Sequence, residues 1–312
     1  TAEDMEDKLD DYRLVGYGNG YLTIRTIGEK VLDGALGTEI RRRSGDTGRS
    51  DLAVTRMLES PNLIREIHAD YIRAGADVIT ANTYDCNQYA LSLDGLDAEM
   101  SDSLTRMAME LAINARNASQ ADGVIVAGSL GPLASDYDPN DVPSFETCLS
   151  AYRDQAKVMA ETDVDMILVE TAAQARSARA GVVAAVEVGL PVWASLLASP
   201  NGTVSSGESW LEAVETLVSA GASAVLINCT MPDAITVSMR ELSLHNQVVV
   251  GAYGQGALPV GDGWIFDPSM SPNEYAKHAQ DWVGLGARII GGCCATTPEH
   301  IRYLKSEVMP HK

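Results

Sequence analysis

Ala287-Arg288-Ile289-Ile290-Gly291-Gly292-Cys293-Cys294-Ala295-Thr296-Thr297-Pro298-Glu299-His300 holds a whole structural unit in miniature. The run into Ile289-Ile290 is apolar and β-branched, which suits a buried strand, and the two glycines end it. A helix start follows: Thr297 is placed to cap, Pro298 occupies the first helical position, and Glu299 puts negative charge in the first turn. Two adjacent cysteines sit between strand and helix. Vicinal cysteines make a poor disulfide, because their Cβ vectors diverge, but both sulfurs can reach one metal ion.

The same order of strand, loop and helix recurs back to Lys30. Strands are predicted at Val31-Leu32-Asp33, Asp77 to Thr83, Gly123 to Ser129, Asp165 to Glu170, Pro191 to Leu197, Ala222 to Cys229, Val248 to Tyr253 and Arg288 to Gly291. Helices are predicted from Ser60-Pro61, near Asp102 to Asn117, from Ser144, over 173–188, from about Ser209 to Ala220, and after Pro232, Pro272 and Thr297. Continuous apolar strands alternating with amphipathic helices indicate parallel strands buried on both faces. Eight such units predict a single α/β domain over residues 30–312, a (β/α)8 TIM barrel. An open doubly wound sheet would carry a glycine fingerprint after its first strand, and none is present. Residues 1–29, with Gly16, Gly18 and Gly20, show no strong periodicity and read as an N-terminal arm.

In a barrel the active site lies at the C-terminal ends of the strands. Asp33, Asn82, Glu170, Cys229 and the Cys293-Cys294 pair all fall at or just beyond those ends, so one mouth should gather them. Three thiolates with a fourth position open describe a catalytic zinc site. The plainer reading of the same cysteines is buried thiols packed as small hydrophobes. Cys86 and Cys148 lie elsewhere and are read that way. Gly251-Ala252-Tyr253-Gly254-Gln255-Gly256 reads as a flexible active-site loop. His68, His245, His278, His300 and His311 lie away from the strand ends, and none is assigned to metal.

The chain of 312 residues has 46% hydrophobic content, enough for a full core, and a net charge of -20. That charge argues against nucleic acid, which demands a lysine and arginine excess. Five cysteines without a framework spacing fit the reducing cytoplasm better than secretion. Thr1 to Tyr12 lack the basic and apolar regions of a signal peptide, and no apolar run reaches membrane-spanning length.

Asp33-Gly34-Ala35-Leu36-Gly37-Thr38, Asn82-Thr83-Tyr84, Gly128-Ser129-Leu130-Gly131-Pro132, Glu170-Thr171, Asn228-Cys229 and Gly291-Gly292-Cys293-Cys294-Ala295-Thr296-Thr297-Pro298-Glu299-His300-Ile301 together resemble the homocysteine S-methyltransferase family, from about Lys30 to Leu304. The resemblance implies Zn2+ held by Cys229, Cys293 and Cys294. It implies that Asp33 and Glu170 face the amino group of homocysteine, and that backbone N–H groups near Gly34 and Ala35 receive its carboxylate. Asn82 is counted with the substrate-binding set. The expected reaction is zinc-dependent methyl transfer from a small onium donor, such as S-methylmethionine or betaine, to homocysteine, giving methionine. The alternative is a homocysteine- and zinc-binding module that works with a separate corrinoid methyl carrier. The run Ala252-Tyr253-Gly254-Gln255-Gly256-Ala257 and the loops Asp85-Cys86-Asn87-Gln88 and Ala134 to Asp138 depart from the family pattern, and they should line the donor side. The arm before Lys30 is a candidate surface for packing on a second subunit of a homo-oligomer.

Overall fold

The computed structural model describes residues 12–17, 20–25, 28–45, 52–93, 95–133, 137–245, 248–260, 263–267 and 269–310. Within the segment read as an arm, β1 (Tyr12–Tyr17) and β2 (Gly20–Arg25) pair as an antiparallel hairpin. The barrel follows, in β3 (Lys30–Val31), β4 (Val78–Thr80), β5 (Ile125–Leu130), β6 (Met166–Ala172), β7 (Val192–Leu196), β8 (Ala224–Asn228) and β9 (Val249–Gly254). A second hairpin, β10 (Ala257–Val260) with β11 (Gly263–Phe266), precedes the last barrel strand, β12 (Ile289–Gly292).

All neighbouring barrel strands pair parallel, in the order β3-β12-β9-β8-β7-β6-β5-β4. A bridge between Leu32 and Val78 joins the two ends of that list. There the Asp33 N–H donates to the Val78 carbonyl at 2.9 Å, and the Asp77 N–H donates to Val31 at 2.7 Å. The ring is a (β/α)8 barrel.

Two apolar layers hold it. Leu32, Val78, Leu168, Trp193, Leu226 and Ile289 fill the inside of the ring. Ile40, Ile67, Met109, Val169, Leu217 and Trp282 belong to the larger cluster between strands and helices. Each fully buried side chain of this size contributes roughly 1.5–3 kcal/mol. At the N-terminal ends of the strands, carboxylates splint neighbours together. The Val31 N–H donates to Asp77 at 2.8 Å and the Val126 N–H donates to Asp165 at 2.7 Å. Lys305 and Arg116 in turn neutralise these two acids.

The helix starts follow the sequence signals in most places. Ser209 and Glu212 form a capping box, Ser144 and Ser271 cap with their side chains, and Pro232, Pro272 and Pro298 occupy first-turn positions. Two helices before Ser60 were not foreseen, Leu36–Ser44 and Leu52–Glu59. The first begins at Ala35, which offers no side-chain cap, so its start carries no sequence signal. Ser60 precedes the helix Pro61–Ala74 without a side-chain cap bond.

The flexible-loop reading of Gly251 to Gly256 is corrected. Gly251 to Gly254 are buried residues of β9, and only Gln255-Gly256 turn before β10. A Cβ at Gly251 would run into the Ile289 carbonyl of β12, so glycine there permits the close approach of two strands. Among the described residues the histidines stay out of the mouth. His68 is fully buried in the helix Pro61–Ala74, where burial pulls its pKa down to about 4. His300 accepts from the Thr297 N–H and faces the Met270 carbonyl, and His311 lies outside the described residues. Among the described residues no helix is long and apolar enough to cross a membrane.

Gly251→Ala tests the strand reading. Overpacking against backbone should lower unfolding stability in urea by about 2–3 kcal/mol. A neutral substitution would return this stretch to the loop reading.

Candidate active site

β8 ends at Asn228, and the next residue, Cys229, turns out of the ladder with φ 46°. β12 ends at Gly292; Cys293 and Cys294 follow, and Ala295 has φ 63°. Left-handed backbone costs an ordinary residue roughly 1–2 kcal/mol, so both cysteine turns carry strain. The turns bring three sulfurs together, all within 4.8 Å of one another. Cys229 and Cys293 are closed as a disulfide, with Cα atoms 5.4 Å apart, and Cys294 Sγ lies 3.7 Å from Cys229 Sγ. The sequence reading held all three as thiolates and did not foresee this bond. It arises because the ring sets the ends of β8 and β12 within disulfide reach, with only β9 between them.

The donor set fits zinc once that bond is reduced. Zinc–sulfur bonds of about 2.3 Å in a tetrahedron set sulfurs about 3.8 Å apart, which is the Cys229 to Cys294 spacing. Among the described residues this is the sole cluster of metal-ligating side chains. Cys86 and Cys148 are buried elsewhere, and burial raises both thiols.

Two carboxylates share the cavity with the sulfurs. Asp33, 5% exposed, accepts from the Thr80 N–H at 2.8 Å and from Thr80 Oγ1 at 3.0 Å. Burial raises its pKa from 3.8 to about 8, Thr80 opposes the rise, and the charge of Glu170 adds to it. Glu170 accepts from Ser129 Oγ at 2.5 Å and from Tyr253 Oη at 3.1 Å. Burial raises its pKa too, and both hydrogen bonds oppose the rise. Ser195 Oγ lies 2.6 Å from Tyr253 Oη and steadies it.

The backbone supplies the remaining wall. Gly34 passes so close to Thr296 Oγ1 and the Tyr71 ring that a Cβ would stand 2.8–2.9 Å from them. Tyr71 Oη donates to the Ala35 carbonyl at 3.1 Å, and the Ala35 N–H points to Thr296 Oγ1 at 3.4 Å. Beyond Ala35 the uncapped first turn of the helix Leu36–Ser44 opens on the cavity, which is where a carboxylate is best received. Asn82 Nδ2 donates to the Ala53 carbonyl at 3.0 Å and so ties the helix Leu52–Glu59 to the wall.

The cavity holds about 360 Å³ at the C-terminal mouth of the barrel. Asp33, Gly34, Ala35, Asn82 and Glu170 line it together with Cys229, Cys293 and Cys294, so the ring gathers every residue singled out from the sequence.

The sequence profile described as Homocysteine S-methyltransferase matches residues 30–308. The chain belongs to the homocysteine S-methyltransferase family. Curated relatives include Homocysteine S-methyltransferase 2 of Zea mays, 29% identical with 88% of each chain covered. Selenocysteine Se-methyltransferase of Brassica oleracea var. italica is 27% identical, over 95% of this chain and 93% of its own. Among solved structures, the metallated form of the homocysteine methyltransferase MmuM from Escherichia coli superposes with a TM-score of 0.78 at 27% identity, covering 89% of this chain and 96% of its own. As a member of the homocysteine S-methyltransferase family the protein is a methyltransferase.

Within this homocysteine S-methyltransferase fold, Thr80, Ser129, Ser195 and Tyr253 surround the two acids, and the sequence reading gave none of them a role there. Small hydroxyl residues inside apolar strands look like packing. Tyr253 had one available signal, its place at the end of the predicted strand Val248 to Tyr253; in the structure it pairs in register with Asn228, beside the cysteine that follows.

Asp33 links the site to stability. Its folded pKa of about 8 lies above the unfolded value of 3.8, so its contribution is fully present below about 3.8 and is lost as pH rises through about 8. Asp33→Asn removes that loss while keeping partners for Thr80. The variant should melt progressively higher than wild type from pH 5 to 8, with the gap level above. A constant gap across that range would show that Asp33 is ionised in the free enzyme.

Proposed function

We propose that the protein transfers a methyl group from a small onium donor, such as S-methylmethionine or betaine, to the sulfur of homocysteine, giving methionine, with zinc held by Cys229, Cys293 and Cys294. The observation that carries this reading is the placement of three sulfurs, the buried Asp33 and the half-buried Glu170 on one cavity. Zinc bound at three cysteine sulfurs supplies a Lewis acid with an open position, which lowers the pKa of an incoming thiol.

The chain's own residues do the rest. Asp33 and Glu170 receive the substrate ammonium, which provides the positive charge that their buried carboxylates lack. Ser129 and Tyr253 donate to Glu170 and favour its charged form. The N–H groups of the first turn after Ala35 donate to the substrate carboxylate. Held at both ends of its amino-acid group, homocysteine directs its sulfur to the cysteine side of the cavity. The thiolate then attacks the donor methyl carbon as the carbon–onium bond breaks. The electron pair leaves on a neutral product, so no general acid is required. An acidic cavity also favours a cationic donor over an anionic one. Because the ligand set requires reduced thiols, the reducing cytoplasm is the fitting compartment.

The test supplies isotope-labelled homocysteine to reduced, zinc-loaded protein with S-methylmethionine, betaine, dimethylsulfoniopropionate or S-adenosylmethionine in separate reactions. Labelled methionine from one of them is expected. Zinc should bind at about one per chain in reductant, and Cys294→Ser should lose it on dialysis together with at least about 100-fold in kcat/KM. Full activity in the metal-free variant would overturn the zinc assignment, and no methionine from any donor would overturn the choice of a small onium compound.

A further inference from the structure

β6 does not run straight into the cavity. Val169 pairs with Ala194 of β7 and Ala172 pairs with Leu196, so Glu170 and Thr171 together oppose Ser195 alone. Two residues against one is a β-bulge, a device that re-aims a side chain. Thr171 accordingly takes φ 58°, left-handed backbone that a β-branched residue rarely adopts. The bulge also takes the Thr171 N–H out of the ladder, where a buried donor must find another partner.

Asn228 is that partner. Its Oδ1 accepts from the Thr171 N–H at 3.1 Å, and its Nδ2 donates to Thr171 Oγ1 at 2.9 Å. The backbone N–H can only donate, which fixes the orientation of the amide. Asn228 is 0% and Thr171 3% exposed, so water does not compete for either bond. The two residues are on strands that do not touch, since β7 lies between β6 and β8. Thr171 directly follows Glu170, and Asn228 directly precedes Cys229, itself at φ 46°.

We infer that Asn228 is a positioning residue that locks the amino-acid half of the cavity, at Glu170, to the metal half, at Cys229. This rests on the proposed function for the identity of the two halves. One amide holds the strained backbone beside Glu170 and, through its own Cα, sets the start of the Cys229 turn. Loss of the amide releases both, so one substitution weakens two different ligands that bind at separate groups.

The experiment compares wild type, Asn228→Ala and Thr171→Val, with Ser238→Ala as a control that removes a fully buried hydroxyl away from the clamp. Zinc affinity of the reduced protein is read by competition with a chromophoric chelator. Affinity for 2-aminobutyrate, which has the amino-acid group of homocysteine and no sulfur, is read by calorimetry on reduced, zinc-free protein. Asn228→Ala should weaken each by about tenfold, the usual scale for a residue behind a ligand. Thr171→Val, which keeps the N–H bond, should shift both the same way by about threefold. Ser238→Ala should leave both at wild-type values even if its melting temperature falls. A variant that loses only one affinity, or neither, overturns the inference whatever happens to its stability. If Asn228→Ala does not fold, Thr171→Val decides by the same criteria. Wild type that binds neither ligand overturns the proposed function, and this inference with it.

Discussion

The closure of the ring between Leu32 and Val78 is the constraint on which the rest of the molecule depends. β3 is only two residues long, and it is held by β12 on one side and by the backbone of Asp77 and Val78 on the other. Without that second contact, Asp33 would sit at a free sheet edge in water. With it, Asp33 is buried against Thr80, and the cysteine turn after β12 is brought beside the strand that carries the aspartate. The Gly292 N–H donates to the Asp33 carbonyl at 3.1 Å, so the turn that carries Cys293 and Cys294 and the first carboxylate share one stretch of ladder.

A ring of strands closed this way places the polar residues at its mouth whether or not they are comfortable there. Asp33 and Glu170 share one cavity; burial raises the cost of ionising both, and the charge of Glu170 raises that of Asp33 further. Thr171, Cys229 and Ala295 adopt left-handed backbone at the same end of the barrel. These are stability losses in the empty protein, carried by the apolar layers inside and outside the ring. A cation seated between the two acids would relieve the electrostatic part, so binding and folding would draw on the same free energy.

The barrel was legible because each strand is a near-continuous apolar run and most helices carry a serine, threonine or proline at their start. What was not legible has a local cause in each case. The helix Leu36–Ser44 lacks a capping signal at its start, and the turn after Gly34 is set by contacts with Tyr71 and Thr296 that are distant in sequence. Gly251 fell both in the predicted strand Val248 to Tyr253 and in the glycine-rich loop reading, because close approach of two strands calls for glycine as much as a flexible turn does; the strand holds. The candidate site residues stood out because acids and cysteines are conspicuous at the ends of apolar runs. The hydroxyls and amides that hold them, Thr80, Ser129, Asn228 and Tyr253, were not, since their role exists only across strands.

The two sides of the cavity are built differently, and this separates what is constrained from what can vary. The residues proposed for the acceptor lie on strand ends, within one or two residues of ladder hydrogen bonds, so their positions are fixed by the ring. Other lining residues come from connecting segments, with Arg41, Ala53, Tyr84 and Tyr137 supplied by helices and loops after β3, β4 and β5. Loops tolerate substitution and insertion far better than a closed ladder does. A ring that holds one amino-acid thiol can therefore accept different donor walls without disturbing the sulfurs. The departure at Asp85 to Gln88 falls on a connecting segment, where such a ring leaves room for it, whereas the departure at Ala252 to Ala257 begins inside β9 itself.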